Sequence, residues 1–285
     1  MAPEDFVREA RHYDIVHIHA SYPYTKACVD GNVKNLVFTW HGYAPTIYVP
    51  SIRNKAVNVA LKFMYKKYLH KIKYITTISQ YGAQQLTKMY NTRAKIIPNG
   101  VDLEVFKQGN NHDEIRDHYP IVLNVTAYNN FKGRDILLRS FKVILKRYPN
   151  ALLIARGSGI NLNNIMDPGL LSQDEMAEYY RMAHFYLLTS RWESFGLPII
   201  EAFAIGTPVI ALDKEDARRE HVLGSGAGLL FKDEGSLLQA VDEVLSRRSQ
   251  YSSRGVEYAR RFDWSNVARE YIKLYEEVIG GEARD

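Results

Sequence analysis

The run Arg191-Trp192-Glu193-Ser194-Phe195-Gly196-Leu197-Pro198-Ile199-Ile200-Glu201-Ala202-Phe203-Ala204-Ile205-Gly206-Thr207-Pro208-Val209-Ile210-Ala211 sets two carboxylates eight positions apart around a loop, a helix and the start of a strand. Proline is favoured at the first helical position and glycine just past the last, so Pro198 and Gly206 predict a helix from about 198 to 205. Its N-terminus then faces the loop that carries Glu193. Unpaired N–H groups and the positive end of the helix dipole suit such a junction to a phosphate, and Gly196 permits close approach of the main chain. The helix is apolar on every side except at Glu201, which predicts burial. A buried lone carboxylate is costly unless something bonds it, and a pair of hydroxyls, such as those of a ribose, would serve.

Each piece alone has an ordinary reading, since a glutamate in a first turn stabilises the helix dipole by itself. Weight comes from the order of the other motifs. Asp14-Ile15-Val16-His17-Ile18-His19 is followed by Thr39-Trp40-His41-Gly42, Ile97-Pro98-Asn99-Gly100-Val101-Asp102, Lys132-Gly133-Arg134-Asp135 and Gly157-Ser158-Gly159. Then come the glutamate pair and Gly224-Ser225-Gly226-Ala227-Gly228-Leu229-Leu230. In this succession the chain resembles the retaining GT-B glycosyltransferases of family 4, over nearly its whole length and most densely from 95 to 264.

The resemblance implies an α/β protein of the GT-B type: two Rossmann-like domains with parallel sheets facing across a cleft, the second holding most of a nucleoside-diphosphate-sugar donor. It places Glu201 on the donor ribose and Glu193 on the transferred sugar. It gives the backbone of Ser194, Phe195 and Gly196, with Leu197 opening the helix, to the sugar or diphosphate. Lys132 falls on the diphosphate, where a positive charge opposes the negative charge gained by the leaving phosphate. His41 falls on the first-domain position near the reaction centre, whereas His17 is expected to be structural. The chain departs from the pattern twice. An arginine usual five or six positions before the lysine is replaced by Ala127 and Thr126, so Arg134, a first-domain cation or the helix N-terminus is expected to supply its charge. The first domain is also short, with 13 residues before Asp14, which implies either an open acceptor cleft or a partner subunit that completes the domain.

Apolar runs rich in Val, Ile and aromatics at 14–19, 35–40, 74–78, 121–126, 151–155, 185–189 and 208–212 read as buried strands with helical periodicity between most of them, an alternation that implies parallel sheets. The segment Asn99 to Pro120 is the best linker, and Ser172-Gln173-Asp174-Glu175 is a capping box opening a helix to about His184. The expected domains are 1–103 and 104–262, with 263–285 a closing helix patterned on Val267, Tyr271, Leu274 and Val278.

The chain has 285 residues, enough for two domains. Its single cysteine, Cys28, excludes a disulfide framework and reads as a packed thiol in a reducing compartment. With no spanning apolar run and no signal-peptide pattern at Met1-Ala2-Pro3-Glu4-Asp5-Phe6, a cytoplasmic location is expected. Charge is uneven: residues 1–102 hold fourteen basic and six acidic residues, the remainder 23 and 26, and no acid falls between Asp30 and Asp102. The first half should therefore favour an anionic partner. A helix from about 52 to 72 is expected to bury Val57, Leu61, Met64, Tyr68 and Ile72 and to turn Lys55, Lys62, Lys66 and Lys73 to solvent or to an anionic membrane surface. No nucleic-acid motif accompanies the charge, so nucleic acid is not expected. Nor does an Asp-x-Asp pair suggest a metal-held diphosphate, since Asp113-Glu114 lies in the linker and a basic run follows Asp213-Lys214-Glu215.

The expected activity is transfer of a sugar from a nucleoside-diphosphate donor to the hydroxyl of a sugar, lipid-linked or protein acceptor, with no cofactor and no obligatory metal. The alternatives are a catalytically weak sugar-nucleotide-binding subunit and a sugar-nucleotide epimerase or phosphorylase on the same fold.

Overall fold

The computed structural model describes residues 1–19, 21–43, 51–109, 117–125, 130–160 and 162–280. The chain divides into two compact units, one made of Met1–Asn99 with Ser265–Asp285 and the other of Gly100–Trp264. These borders fall a few residues from the 103/104 and 262/263 borders expected from sequence. Thr126, Ala127 and the Asp113-Glu114 pair of the linker lie outside the described residues.

The first unit carries a parallel sheet in the order β1 (Val16–His19), β2 (Leu36–Trp40), β3 (Tyr74–Thr77) and β4 (Lys95–Ile96). Strand alternation gives it two cores. Val37 packs with Ile97 and with Val267, Leu274 and Val278 of the C-terminal helix (Trp264–Gly280). Phe38 and Trp40 pack on the other face with Ala10, Cys28, Tyr65, Leu69 and Leu86, from α1 (Pro3–Ala10), α2 (Tyr22–Asp30), α3 (Ile52–Tyr68), the turn after it and α4 (Gln80–Tyr90). The Cys28 thiol is buried, and burial raises its pKa to about 11.

The buried face of α3 differs from the expected one. Tyr68 and Ile72 are buried, but Val57 and Met64 are exposed, and Asn58, Tyr65 and Leu69 are the other buried positions from this segment. The cause is the aromatic cluster: Tyr65 packs edge to face against Tyr22 and Trp40 and lies against Phe38, which rotates the helix towards those rings. The helix also stops at Tyr68, with a 3-10 turn at Leu69–Lys71, rather than running to 72.

In the second unit a parallel sheet has the order β10 (Gly228–Phe231), β9 (Val209–Leu212), β8 (Phe185–Leu188), β5 (Ile121–Val125), β6 (Leu152–Arg156) and β7 (Ile165–Met166). Counted within the unit, this is the doubly wound order 3-2-1-4-5-6, which reverses direction between β5 and β8. In such sheets ligands bind outside the carboxyl ends of the strands flanking the reversal. The core joins Val122, Leu153, Leu187 and Ile210 to Phe141 and Ile144 of α5 (Arg134–Arg147) and to Val241 and Val244 of α9 (Glu234–Ser246).

Ser172 and Glu175 form the expected capping box of α6 (Gln173–Met182), which stops at Met182 because Ala183 is extended and leads into β8. The helix α7 runs Leu197–Ile205, with Gly196 and Gly206 both left-handed at its two ends. The strands β4, β7 and β10 were not expected. The first two are two residues long, and β10 opens on Gly228 within a glycine-rich stretch.

Candidate active site

The polypeptide leaving β5 and the polypeptide leaving β8 are tied together at the reversal of the second sheet. Gly133, with φ +70°, caps α5, and a Cβ there would collide with the carbonyl of Thr189 just past β8. A left-handed backbone and contact with another main chain both require glycine. The N–H of Arg191 donates to the carbonyl of Phe131 at 3.0 Å. The guanidinium of Arg191 grips the Asp135 carboxylate through two bonds of 2.8 and 2.9 Å. At the centre, Lys132 Nζ donates to Glu193 Oε1 at 2.8 Å. The residues assigned from sequence to the diphosphate and to the sugar thus form one ion pair, half-buried on the lysine side and almost wholly buried on the glutamate side.

A second brace holds Glu193 from below. Its backbone N–H donates to Asp216 Oδ2 at 2.9 Å. Asp216 is the N-cap of α8 (Ala217–Ser225) and receives Arg218 Nε and Nη2, each at 2.8 Å. Arg218 is fully buried. Burial pushes the Asp216 carboxyl above its ordinary pKa, and the guanidinium and backbone donors act against that rise. Neither residue was identified from sequence, where Arg218-Arg219 reads as a surface basic run; the one available cue is an Asp placed as a helix cap.

Phe195 is buried against His221 and Phe262, so only its main chain is placed to meet a ligand. Gly196, at φ +91°, turns the chain into α7. Ser194 and Leu197 beside it are half-buried. Glu201 is half-buried one turn into α7 and accepts the Tyr180 hydroxyl at Oε2, 2.9 Å away. Burial raises its pKa, with the Tyr180 hydrogen bond and the nearby positive charge of Arg156 offsetting part of the rise.

Tyr180 and Arg156, at the carboxyl end of β6, are further site residues that sequence reasoning missed. The Nε atoms of Arg156 and Arg134 are both buried and have no hydrogen-bond partner among the described residues. The Gly157-Ser158-Gly159 turn is committed elsewhere: the N–H groups of Gly157 and Gly159 donate to Asp167 at 2.9 and 2.6 Å. Burial of Asp167 acts to raise its pKa, but these donors together with Gly169 N–H outweigh it and hold the carboxyl low.

In the first unit the three histidines named from sequence form one cluster at the carboxyl ends of β1 and β2. His19 Nδ1 lies 2.9 Å from His41 Nε2, a distance at which one ring donates and the other accepts. His17 stacks on His19 with ring centroids 4.4 Å apart. The His17 ring is bound by the Tyr275 hydroxyl at 2.7 Å and the Thr39 hydroxyl at 2.6 Å. Burial, then the neighbouring His19 and His41, lower the His17 pKa to about 4, consistent with a structural group. Burial also lowers the pKa of His19 and of His41, the latter with a contribution from His19. Gly42, with φ +86°, turns the chain directly after His41.

Comparison with known proteins identifies the family and the fold. Residues 107–262 match the family model of the glycosyl transferases group 1, and residues 2–105 match that of glycosyltransferase family 4. An uncharacterized glycosyltransferase of Methanocaldococcus jannaschii is 27% identical over 288 residues, covering 95% of this chain and 77% of that protein. The phosphatidyl-myo-inositol mannosyltransferase of Mycobacterium tuberculosis is 26% identical over 299 residues, covering 95% of this chain and 76% of that one. Among solved structures, sucrose-phosphate synthase of Thermosynechococcus elongatus superposes with a TM-score of 0.81 at 19% identity, over 97% of this chain and 76% of that chain. HepE of Anabaena, solved in complex with UDP and glucose, gives 0.77 at 16% identity, over 95% and 80%. The two parallel-sheet units are thus those of the GT-B fold, and the chain belongs to the group 1, family 4 glycosyltransferases.

Proposed function

We propose that this glycosyltransferase moves a sugar from a nucleoside-diphosphate-sugar to an acceptor hydroxyl with retention of anomeric configuration and without an obligatory metal. In that reaction the bond from the anomeric carbon to the diphosphate oxygen breaks and the acceptor oxygen bonds to the same carbon. The hydroxyl proton leaves with the departing diphosphate. The observation that carries the reading is the Lys132–Glu193 pair at the strand reversal. There a fixed cation can meet the leaving diphosphate while a fixed carboxylate faces the positive charge that develops on the sugar. Glu201 would receive the two ribose hydroxyls, Oε1 being the oxygen with no protein partner among the described residues. Arg134 and Arg156 each carry a buried Nε with no partner among the described residues and would stand in for the usual arginine. His41 is the first unit's proposed contribution. The complex of HepE with UDP and glucose supports the donor class.

Glu201→Ala should weaken donor binding, while Glu193→Gln should lower turnover more than affinity. Calorimetric titration with a panel of nucleoside-diphosphate sugars, together with nucleotide-release kinetics, separates the two effects. Variants that bind and turn over like the parent would remove the site from these loops.

For the acceptor we propose a lipid-linked hydroxyl reached from an anionic membrane surface, with α3 as the contact. The name of the Mycobacterium tuberculosis relative points to such an acceptor. The helix itself supplies a physical reason. Ile52 is 87% exposed and Phe63 is 71% exposed, with Val59 between them on the same face. Lys66 and Lys67 flank that face in solvent. Exposed apolar side chains bordered by lysines describe a helix that lies in the headgroup layer, and no helix among the described residues is long and apolar enough to cross a membrane. Each lysine near an anionic surface contributes about 1 kcal/mol, so attachment should weaken as salt rises. In vesicle sedimentation, Phe63→Ser and Lys66→Glu with Lys67→Glu should each reduce binding to acidic lipid while leaving donor affinity unchanged. Sedimentation equal to the parent in both variants would assign α3 to solvent.

A further inference from the structure

The first unit also contains a cavity of about 590 Å³ that the transfer reaction does not use. It lies between the turn joining α2 to β2, the turn leading into β3 and the end of the C-terminal helix. Its floor is apolar, formed by Cys28, Leu36, Ile72 and Val278, all buried. Its rim is cationic, carrying Lys34, Lys71 and Lys73, with Asn32 and Asn35 beside them. Among the described residues no aspartate or glutamate lines it. Of the acids near it in the sequence, Asp30 is held by Lys26 at 2.8 Å, and Glu277, next to Val278, is exposed and does not line the cavity. The walls are pre-formed: Val33 N–H donates to the Cys28 carbonyl at 2.9 Å, and the Asn35 side chain donates to the Asp14 carbonyl at 3.0 Å. Asn32 and Asn35 both adopt φ +50°, which folds this turn tightly around the cavity mouth.

The cavity opens at the amino ends of β2 and β3, whereas His41 follows the carboxyl end of β2. A five-residue strand at about 3.3 Å per residue puts more than ~13 Å between them, beyond reach of a shared sugar. Lysines over an apolar floor match one chemistry, a phosphate ester that carries an apolar group. We infer that this cavity is a binding site for an amphiphilic phosphate, separate from the donor and acceptor sites, with Lys71 and Lys73 on the phosphate and the Leu36, Ile72 and Val278 floor on the apolar group. A lipid headgroup and a free phosphate ester share this chemistry.

Titration calorimetry of the full chain with monomeric dihexanoyl phosphatidic acid and with inorganic phosphate tests the site. The lipid phosphate should bind at least about tenfold more tightly than inorganic phosphate, because only the former fills the floor. Lys71→Gln with Lys73→Gln should weaken it roughly tenfold or more, and Val33→Glu should do likewise by placing a negative charge in the cavity. Lys142→Gln with Lys146→Gln on α5, outside the cavity, should leave it unchanged. Sedimentation with phosphatidic-acid vesicles then identifies the source. Release of the Lys71 and Lys73 variant from vesicles indicates a lipid headgroup, and unchanged sedimentation with lost dihexanoyl binding indicates a soluble ester. Equal affinity in the parent and both cavity variants, or no binding of dihexanoyl phosphatidic acid, would overturn the inference. Unchanged melting temperatures establish that the variants are folded, and the donor titrations are independent of this result.

Discussion

Lys132→Ala should lower kcat/KM by roughly 30-fold to 10³-fold, corresponding to about 2–4 kcal/mol of transition-state stabilisation for one fixed electrostatic donor. The structure gives a specific reason to expect the upper part of that range. Lys132 sits half-buried 2.8 Å from the almost wholly buried Glu193 carboxylate, so the variant loses the cation proposed to face the leaving diphosphate and leaves a buried carboxylate without that partner. The second effect can be separated by pairing Lys132→Ala with Glu193→Gln. If repulsion between the orphaned carboxylate and the donor diphosphate contributes, the double variant should recover donor affinity without recovering turnover. Steady-state kinetics on the single and double variants, with melting temperatures as a check on folding, decide the matter. A single variant within about twofold of the parent would show that the diphosphate is met by other groups, with Arg134 and Arg156 the first candidates.

Asp216→Ala is expected to give the largest loss of stability. It would leave Arg218, which is fully buried, with the Leu212 carbonyl as its remaining hydrogen-bond acceptor. Removing one member of a buried ion pair costs about 3–5 kcal/mol, because the surviving charge stays desolvated. For a unit of this size that is a fall in melting temperature on the order of 10 °C. Replacing both residues, Asp216→Leu with Arg218→Met, should restore most of the stability, since apolar isosteres often match or exceed such a pair. Turnover should stay low in the repaired protein, because the N–H of Glu193 has lost the carboxylate it donates to. Calorimetry and kinetics on the same samples therefore distinguish the two functions of Asp216. Full recovery of turnover along with stability would show that it does not position Glu193.

Much of this architecture is legible in the chain because parallel strands buried on both faces require unbroken apolar runs. All seven such runs are strands, and the punctuation at Pro198 and Gly206 is matched by α7 within one residue. What escaped has equally physical causes. The strand β10 begins at Gly228, where a Cβ would strike the Val209 carbonyl of the neighbouring strand. The close packing that makes it a strand therefore removed the β-branched residue that would have announced it. The buried face of α3 differs from the one expected from Val57, Leu61, Met64, Tyr68 and Ile72 because apolar spacing is a weak guide when an aromatic cluster on the facing elements decides the rotation. In the candidate site, Lys132, Glu193 and Glu201 carry family spacing and could be proposed from it. Tyr180, Arg156, Asp216 and Arg218 could not, since each acts through a partner brought near by the sheet, between 2 and 45 residues away along the chain.

The contact between Gly133 and the Thr189 carbonyl has a consequence for how such enzymes diverge. With Asp135 and Arg191 clamped across the same junction, the turn after β5 and the turn after β8 cannot be remodelled one at a time. A chimera that imports residues 189–196 from a relative should misfit unless residues 130–135 travel with them. The heritable module for these loops is then a pair of distant segments. Changes of sugar preference should arise first by exchange of side chains on that fixed frame, with the half-buried Trp192 and Ser194 the first candidates, rather than by lengthening or shortening either turn.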